Sequence, residues 1–136
     1  MVEKQIILNR AKCLGCGDVI TSYSVHDFVI CSCGNLSVDG GTEYLKRSYN
    51  DPKLVCEMSI YSDEPFELIR ENYHRGGYGK NGNEPLKWVP ISEMSNEWLQ
   101  NCIIYNDGRG NFKCFANYLY LKEIKYRKRM KIFIGE

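Results

Sequence analysis

The fold of the first third of this chain is decided by two cysteine turns, Cys13-Leu14-Gly15-Cys16-Gly17 and Cys31-Ser32-Cys33-Gly34. Thiolates at this spacing reach a single ion about 2.3 Å away, while backbone N–H groups point at the sulfurs. The glycine after each pair permits the positive φ angle that such a turn needs. The pattern therefore predicts one structural Zn²⁺ per chain, held in a closed tetrahedron by Cys13, Cys16, Cys31 and Cys33.

Two other interpretations of these cysteines stay open from the sequence. They are free buried thiols in a small β unit, or a redox Cys-x-x-Cys pair. A redox pair usually begins a helix, whereas Asp18-Val19-Ile20-Thr21 is typical of a strand. The chain has seven cysteines, an odd number, and four lie at metal spacing, which favours metal thiolates in a reducing compartment over disulfides.

Runs of β-forming residues flank both cysteine turns. They predict strands at Gln5–Leu8, Val19–Tyr23 and Phe28–Ile30. Asp39-Gly40-Gly41 predicts a turn, and Thr42 is then expected to cap a short helix through Glu43, Tyr44 and Leu45.

The middle of the chain predicts a strand, a helix and a loop. Residues 54–61 alternate, so Leu54, Cys56, Met58 and Ile60 are expected on one face of a half-buried strand. Ser62-Asp63-Glu64-Pro65 is typical of a helix start and predicts a short helix over residues 64–74. Residues 74–85 contain four glycines and indicate a loop, followed by an extended piece over residues 86–91.

The last third predicts two antiparallel helices. Ser95 is the expected cap of the first, in which apolar residues recur at helical spacing until Asn106. The second lies within Phe112–Met130, so the pair forms a helical hairpin, and residues 132–134 are expected to form a final short strand. The three remaining cysteines, Cys56, Cys102 and Cys114, are most simply core residues.

Together these elements predict an α+β fold. A zinc ribbon is expected over residues 1–48, and the zinc supplies folding energy that so small a unit lacks. An α+β region over residues 49–136, with a strand, a short helix and the helical hairpin, is expected to form one compact unit with the ribbon.

Composition excludes several classes of protein. With 136 residues, 43% hydrophobic and 26% charged, the chain is too apolar for wholesale disorder. The net charge of +1 excludes a generally basic nucleic-acid coat. No apolar run approaches a membrane span, and the acidic, short apolar start does not suit a signal peptide. We expect a soluble intracellular protein.

Two segments are candidate binding surfaces. In the glycine-rich loop, we expect backbone amides to approach an anion closely, Arg and Lys side chains to add positive charge, and tyrosine rings to stack on a base. The candidate ligand-binding residues there are Tyr73, Arg75, Gly76, Gly77, Tyr78 and Lys80. A surface loop without a ligand is the alternative.

The basic C-terminal tail is the second candidate surface. Residues 122–136 carry a net charge of +4, with six Lys or Arg against two Glu. This segment could lie along phosphates through Lys125, Arg127, Lys128, Arg129 and Lys131. Solvated charges that suit the C-terminal end of a helix are the alternative.

We expect no catalytic residues. The chain shows neither a Ser–His–Asp pattern nor an open metal site, and it has two histidines. His26-Asp27 precedes the second cysteine pair, where bracing the turn is the simpler role.

Two sets of motifs carry a resemblance to known proteins. The cysteine pairs, with His26-Asp27-Phe28-Val29 and Asp39-Gly40-Gly41-x-x-Tyr44-Leu45-x-Arg47, resemble an uncharacterised zinc-ribbon domain of small proteins from bacteriophages and their hosts. The resemblance implies zinc ligation by the four cysteines and no established activity. The segment Trp88-x-Pro90-Ile91-x-x-Met94-Ser95-x-x-Trp98-Leu99 is similar to a helical hairpin of small phage proteins, in which His often stands at the position of Trp98.

These resemblances imply a phage or prophage accessory protein in the cytoplasm of a bacterial host. Our leading hypothesis is a non-enzymatic binding protein that interferes with a host component. It would act as an anti-defence inhibitor of a host protein or sequester a nucleotide-type signal in the glycine-rich loop. The alternatives are a zinc-ribbon nucleic-acid-binding regulator that uses the basic tail, and an assembly accessory whose hairpin makes a homo-oligomer.

Overall fold

The computed structural model describes residues 4–135, and the chain has a mixed α+β fold. It divides into two units between Asn72 and Tyr73. The cysteine-bearing strands lie in the first unit, and the two long helices lie in the second.

The first unit contains seven strands and one helix. In chain order they are β1 (Ile6–Cys13), β2 (Val19–Ser22), β3 (Val29–Ile30), β4 (Leu36–Asp39), β5 (Lys46–Tyr49), β6 (Val55–Glu57), β7 (Ile60–Tyr61) and α1 (Phe66–Asn72), with a 3₁₀ turn at Pro52–Leu54. Strand β1 is the centre of one sheet, where it pairs antiparallel with β2, β6 and β7. The second sheet has the antiparallel order β3-β4-β5.

The core of the first unit is built around the cysteines. Ile7, Asn9, Ala11 and Cys13 are buried at alternate positions of β1, as expected for a strand that covers a core with one face, and in β4 three consecutive residues are buried, Leu36, Ser37 and Val38. The buried cluster contains apolar side chains from both sheets together with two thiols: Ala11, Cys13, Ile20, Cys31, Leu36 and Val38.

A polar network that runs from buried Asn9 to the exposed carboxylate of Glu57 ties the two sheets of the first unit together. Asn9 is fully buried on β1 and donates to the carbonyls of Asp39 and Gly41 at 3.0 and 2.9 Å. Arg47 on β5 donates to the side-chain oxygen of Asn9 at 2.7 Å, and to both carboxylate oxygens of Glu57 on β6 at 2.8 and 2.6 Å. Because buried polar groups are stable only when they are paired, this network specifies how β1, β5 and β6 associate.

The second unit contains a β hairpin and a helical hairpin. Strands β8 (His74–Gly77) and β9 (Lys87–Pro90) pair antiparallel, and a 3₁₀ turn at Ile91–Glu93 leads to α2 (Asn96–Gly108) and α3 (Phe115–Met130). The Ser95 hydroxyl accepts a hydrogen bond from the Trp98 N–H at 3.0 Å, which confirms the predicted cap.

A buried ion pair holds the helical hairpin to the segment before it. Arg127, 2% exposed, donates to the carboxylate of Glu123 at 2.7 Å, one turn earlier on α3. The same guanidinium donates to the side-chain oxygen of Asn96 at 2.7 Å and to the carbonyl of Ile91 at 2.8 Å. One side chain therefore links α3 to the 3₁₀ turn and to the beginning of α2.

Most of the predicted elements are confirmed. The structure has the predicted strands at β1, β2 and β3, the helix near residues 64–74, the extended piece before residue 91 and the helical hairpin. These elements carry strong local patterns, either the periodicity of their apolar residues or their capping residues.

Three predictions in the first unit are wrong. Residues 43–45 form no helix, because the N–H groups of Glu43 and Tyr44 both bond the Gly40 carbonyl in a turn that leads into β5. The predicted strand 54–61 is split into β6 and β7, where the Ser59 hydroxyl bonds the backbone of Arg10. Cys56 is exposed on the edge strand β6 and is not a core residue.

The predicted loop at residues 74–85 begins with a strand instead. In β8, Gly76 pairs with Trp88 of β9, and a Cβ on Gly76 would lie 3.0 Å from that indole. A Cβ on Gly77 would lie 2.8 Å from the Trp98 ring. Two aromatic rings thus cover glycines that would otherwise weaken a strand.

The predicted strand at residues 132–134 is wrong, because Ile134 exchanges hydrogen bonds with Asn96 at the start of α2. The zinc ribbon over residues 1–48 stays a prediction. In the structure β6 and β7 pair with β1, and the first unit extends to Asn72.

We expect Arg127→Met to destabilise the second unit by about 3–5 kcal/mol, because it leaves the carboxylate of Glu123 buried without this partner. Urea unfolding followed by the helical circular-dichroism signal measures the change. Arg129→Met, at an exposed position on the same helix, is the control and should change the free energy of unfolding by no more than about 0.5 kcal/mol. Equal stability of the two variants would contradict the assigned role of Arg127.

We expect Glu57 to make the first unit sensitive to acid. Burial raises the pKa of its carboxyl, but hydrogen bonds from Arg47 and Ser59 outweigh this and hold the pKa below the ordinary value of 4.5. A lowered pKa contributes stability above the unfolded value, and this is lost as the pH falls through the folded value. Glu57→Gln should therefore be less stable than the wild type at pH 7, and the difference should narrow below about pH 4.5. The midpoints of urea unfolding, taken from pH 7 to below about pH 4.5, measure this stability difference. For the control Glu43→Gln, at an exposed position, the difference from the wild type should not change with pH in this way.

Candidate metal centre and ligand pocket

The first cysteine turn joins β1 to β2. Cys13 is the last residue of β1, and its carbonyl accepts a hydrogen bond from the Gly17 N–H at 2.7 Å. The Cys13 N–H in turn donates to the carbonyl of Asp18 at 2.9 Å. Gly17 has a φ of +80°, which permits the reversal of the chain immediately after Cys16.

The second turn joins β3 to β4 in a closely similar way. The Gly34 N–H donates to the Cys31 carbonyl at 3.0 Å, and the Cys31 N–H donates to the Leu36 carbonyl at 2.9 Å. Gly34 has a φ of +79°. In both turns the N–H of the first cysteine donates to the carbonyl of the residue five positions later. The Cys-x-Cys turn is therefore closed by the same hydrogen bond as the Cys-x-x-Cys turn.

The two turns bring all four sulfurs together. The four Sγ atoms lie within 4.8 Å of one another, and the Sγ of Cys33 lies 3.6 Å from that of Cys13 and 3.7 Å from that of Cys31. In a regular tetrahedron with metal–sulfur bonds of about 2.3 Å, neighbouring sulfurs are about 3.8 Å apart. Cys13, Cys16, Cys31 and Cys33 could therefore hold a metal ion, as their spacing predicts.

The surroundings of Cys16 and Cys33 shift the pKa values of these two thiols in opposite directions. The backbone of Asp18 and the hydroxyl of Ser32 lower the pKa of Cys16 to about 6. For Cys33 the backbone of Asn35 lowers the pKa, but the thiols of Cys13 and Cys31 act against it, and the net result is about 12. Four adjacent thiolates repel one another, so a bound cation is what would allow all four to ionise.

Two residues that the sequence analysis did not single out support the cluster. The carboxylate of Asp18 accepts a hydrogen bond from the Ser32 N–H at 2.7 Å and so ties one cysteine turn to the other. Leu54 packs beneath the first turn, where its carbonyl accepts from the Leu14 N–H at 2.8 Å. The position of Asp18 directly after the Cys-x-x-Cys-Gly motif could have indicated its role from the sequence. The contact of Leu54 depends on tertiary structure.

His26-Asp27 and the Asp39-Gly40-Gly41 segment have structural contacts. The Asp27 carboxylate accepts from the Tyr23 N–H at 2.9 Å, within the connection from β2 to β3. The Gly41 N–H donates to the Ser22 hydroxyl at 3.0 Å, and its carbonyl accepts from buried Asn9. Both segments brace turns of the first unit.

The second unit contains a pocket of about 670 Å³ between the β8–β9 loop and α2. Three of the predicted ligand residues, Gly77, Tyr78 and Lys80, line it. The lining also includes Asn81, Glu84 and Lys87 from the hairpin, and Glu97, Trp98 and Asn101 from α2. Sequence reasoning missed the contribution of α2, because the loop and the helix are brought together only by the fold.

The remaining predicted ligand residues lie outside this lining. Arg75 is half-buried on β8. Burial lowers the pKa of its guanidinium, but the neighbouring phenol of Tyr120 and thiol of Cys102 raise it by more, so the net pKa lies above its ordinary value. Burial raises the pKa of the Tyr120 phenol, and Arg75 offsets part of this. Gly76 contacts Trp88, and Tyr73 packs edge-on against Phe115. Arg75 and Lys80 therefore do not form one anion-binding pair.

The predicted nucleic-acid-binding residues of the basic tail also differ in exposure. The structure corrects the assignment of Arg127 to a phosphate-binding surface, because its guanidinium is buried against Glu123. The other predicted members are exposed: Lys125, Lys128, Arg129 and Lys131.

Comparison with known proteins gives one match. A domain of unknown function (DUF7695) matches residues 5–49, which are 45 of the 136 residues and include all four cysteines. No curated protein and no solved structure matches the chain. The likeness to a phage zinc-ribbon domain stays a prediction, since the description of the matching domain names no activity, metal or source. Between residues 4 and 135, none of the helices is both long and apolar enough to cross a membrane.

We expect the purified chain to carry one metal ion, and Cys33→Ser to lose most of it, because a hydroxyl is a poor ligand for a thiolate-binding metal. Native mass spectrometry measures the metal content of each chain. Cys56→Ser removes an exposed thiol outside the cluster and is the matched control. Loss of metal from the control alone, or a wild-type chain without metal, would contradict the site.

Proposed function

We propose that this chain is a non-enzymatic binding protein, in which a structural zinc centre supports the first unit and the pocket of the second unit binds a nucleotide-type small molecule. The pocket is the observation that carries the proposal. It includes Gly77, Tyr78 and Lys80 of the glycine-rich segment that the sequence predicts as a ligand site, and its volume of about 670 Å³ suits a small organic ligand.

The donor set supports zinc in the first unit. Four cysteine sulfurs favour a soft or borderline ion over a hard oxygen-seeking one. A tetrahedron with four protein ligands leaves no open position for water or substrate, which is typical of structural zinc. The buried core of the first unit includes two of the four cysteines, so the ion would stabilise the fold directly.

The chemistry of the pocket suits a nucleotide. Trp98 and Tyr78 provide aromatic surface on which a base can stack. Lys80 and Lys87 place two ammonium groups in the lining, which can pair with phosphate oxygens. The amide of Asn101 provides both a donor and an acceptor for the edge of a base.

The proposed biological role rests on the phage-type resemblance. A small binding protein of a phage or prophage would interfere with a component of its bacterial host, and sequestering a nucleotide signal of antiviral defence is the version that uses the pocket. Direct inhibition of a host protein is the version that does not use it.

We expect the wild-type chain to retain a nucleotide from an equimolar pool of nucleoside triphosphates and cyclic mono- and dinucleotides, as read by native mass spectrometry. Lys80→Ala with Lys87→Ala should weaken that binding about tenfold for each lysine, because each substitution removes a charge-assisted contact. Tyr78→Ala should weaken it about fivefold or more through lost stacking.

Lys113→Ala with Lys131→Ala is the matched control, since both lysines are exposed and neither lines the pocket. Its nucleotide binding should equal that of the wild type. A metal-loaded wild-type chain that retains no nucleotide would refute the nucleotide proposal and leave the metal centre standing.

A further inference from the structure

Charge is segregated between the two units. Residues 1–72 contain seven Lys or Arg and 11 Asp or Glu, a net charge of −4, whereas residues 73–136 contain 11 and six, a net charge of +5. The near-neutral charge of the whole chain therefore conceals a basic second unit.

Much of the excess positive charge lies on one face of α3. Tyr118, Lys122, Lys125 and Arg129 follow one another at spacings of four, three and four residues, so they form a stripe along the helix. All four are exposed. The stripe is about 16 Å long at 1.5 Å per residue. Lys128 and Lys131 extend the exposed positive charge toward the end of the helix.

The buried ion pair removes the acidic side chain of α3 itself from this face. Glu123 is the single acidic residue of α3, and its carboxylate is fully buried against Arg127. The buried side chains of α3 therefore include its one carboxylate, Glu123, and one cation, Arg127. The charged side chains that α3 exposes are all positive.

Aromatic rings are interleaved with these cations. The ammonium of Lys122 lies 5.4 Å from the ring centroid of Tyr118, and the guanidinium of Arg129 lies 5.4 Å from that of Tyr126. Tyr118 is 54% exposed, and its ring also stacks against Phe115, with centroids 6.1 Å apart, so a base would stack on the part of the ring that Phe115 and Lys122 leave exposed. Cations beside an exposed aromatic ring are typical of surfaces that bind single-stranded nucleic acid.

We propose that the outer face of α3, defined by Tyr118, Lys122, Lys125 and Arg129, is a docking surface for single-stranded nucleic acid. The cations would lie along the phosphates, and a base would stack on Tyr118. An anionic membrane fits less well. An interfacial helix inserts its apolar face, but in α3 that face includes Leu119 and Tyr120, which are each 1% exposed.

The test uses the full-length chain and a fluorescently labelled oligothymidylate, with binding followed by anisotropy from about 50 mM to about 200 mM salt. We expect Lys122→Gln/Lys125→Gln/Arg129→Gln to weaken binding about tenfold or more, and to reduce the slope of log affinity against log salt by about 2. Tyr118→Ala should weaken binding of the single strand about fivefold or more and affect duplex DNA less.

The matched control is Lys4→Gln/Lys46→Gln/Lys53→Gln, which removes the same charge from exposed positions in the first unit. It should bind the oligonucleotide like the wild type. The helical circular-dichroism signal verifies that each variant is folded.

Three results would overturn the proposal. They are no binding of the oligonucleotide at about 50 mM salt, equal loss of binding in both triple variants, and binding to phosphatidylserine vesicles without binding to the oligonucleotide. The last result would assign the face to a membrane surface.

Discussion

The first unit depends on four sulfur atoms held within 4.8 Å of one another. Two of them, from Cys13 and Cys31, are also part of the buried core, so the metal-binding group and the hydrophobic core are one structure. Each pair of thiols lies at a hairpin turn of a different sheet, and an ion shared between the turns would join the sheets. Four thiolates would repel one another without a cation, so ion binding at this cluster would be coupled to folding.

The second unit depends on a different buried polar group. Arg127 stabilises the helical hairpin by bonding Glu123, Asn96 and the Ile91 carbonyl. The same contact also shapes the surface, because it removes the acid of α3 from the outer face. The stability of this unit and the charge of its surface therefore have a common origin.

The sequence analysis succeeded where a local pattern sets the structure. The cysteine spacing identified the four sulfurs that meet, and Ser95 identified the start of α2. It failed where a distant contact decides. Cys56 follows an alternating pattern yet lies exposed on an edge strand, and β8 forms in a glycine-rich segment because Trp88 and Trp98 cover its glycines.

The sequence by itself determined the mixed α+β class, the four cysteines that could hold a metal ion and the helical hairpin, because cysteine spacing, helical periodicity and capping all act over a few neighbouring residues. Only the tertiary structure decided that Arg75 faces Tyr120 while Lys80 lines a pocket, and that Arg127 is buried while Arg129 is exposed. Burial of a charged side chain depends on partners far along the chain. Arg127 meets Asn96 across 31 residues, a distance at which composition and periodicity carry no information.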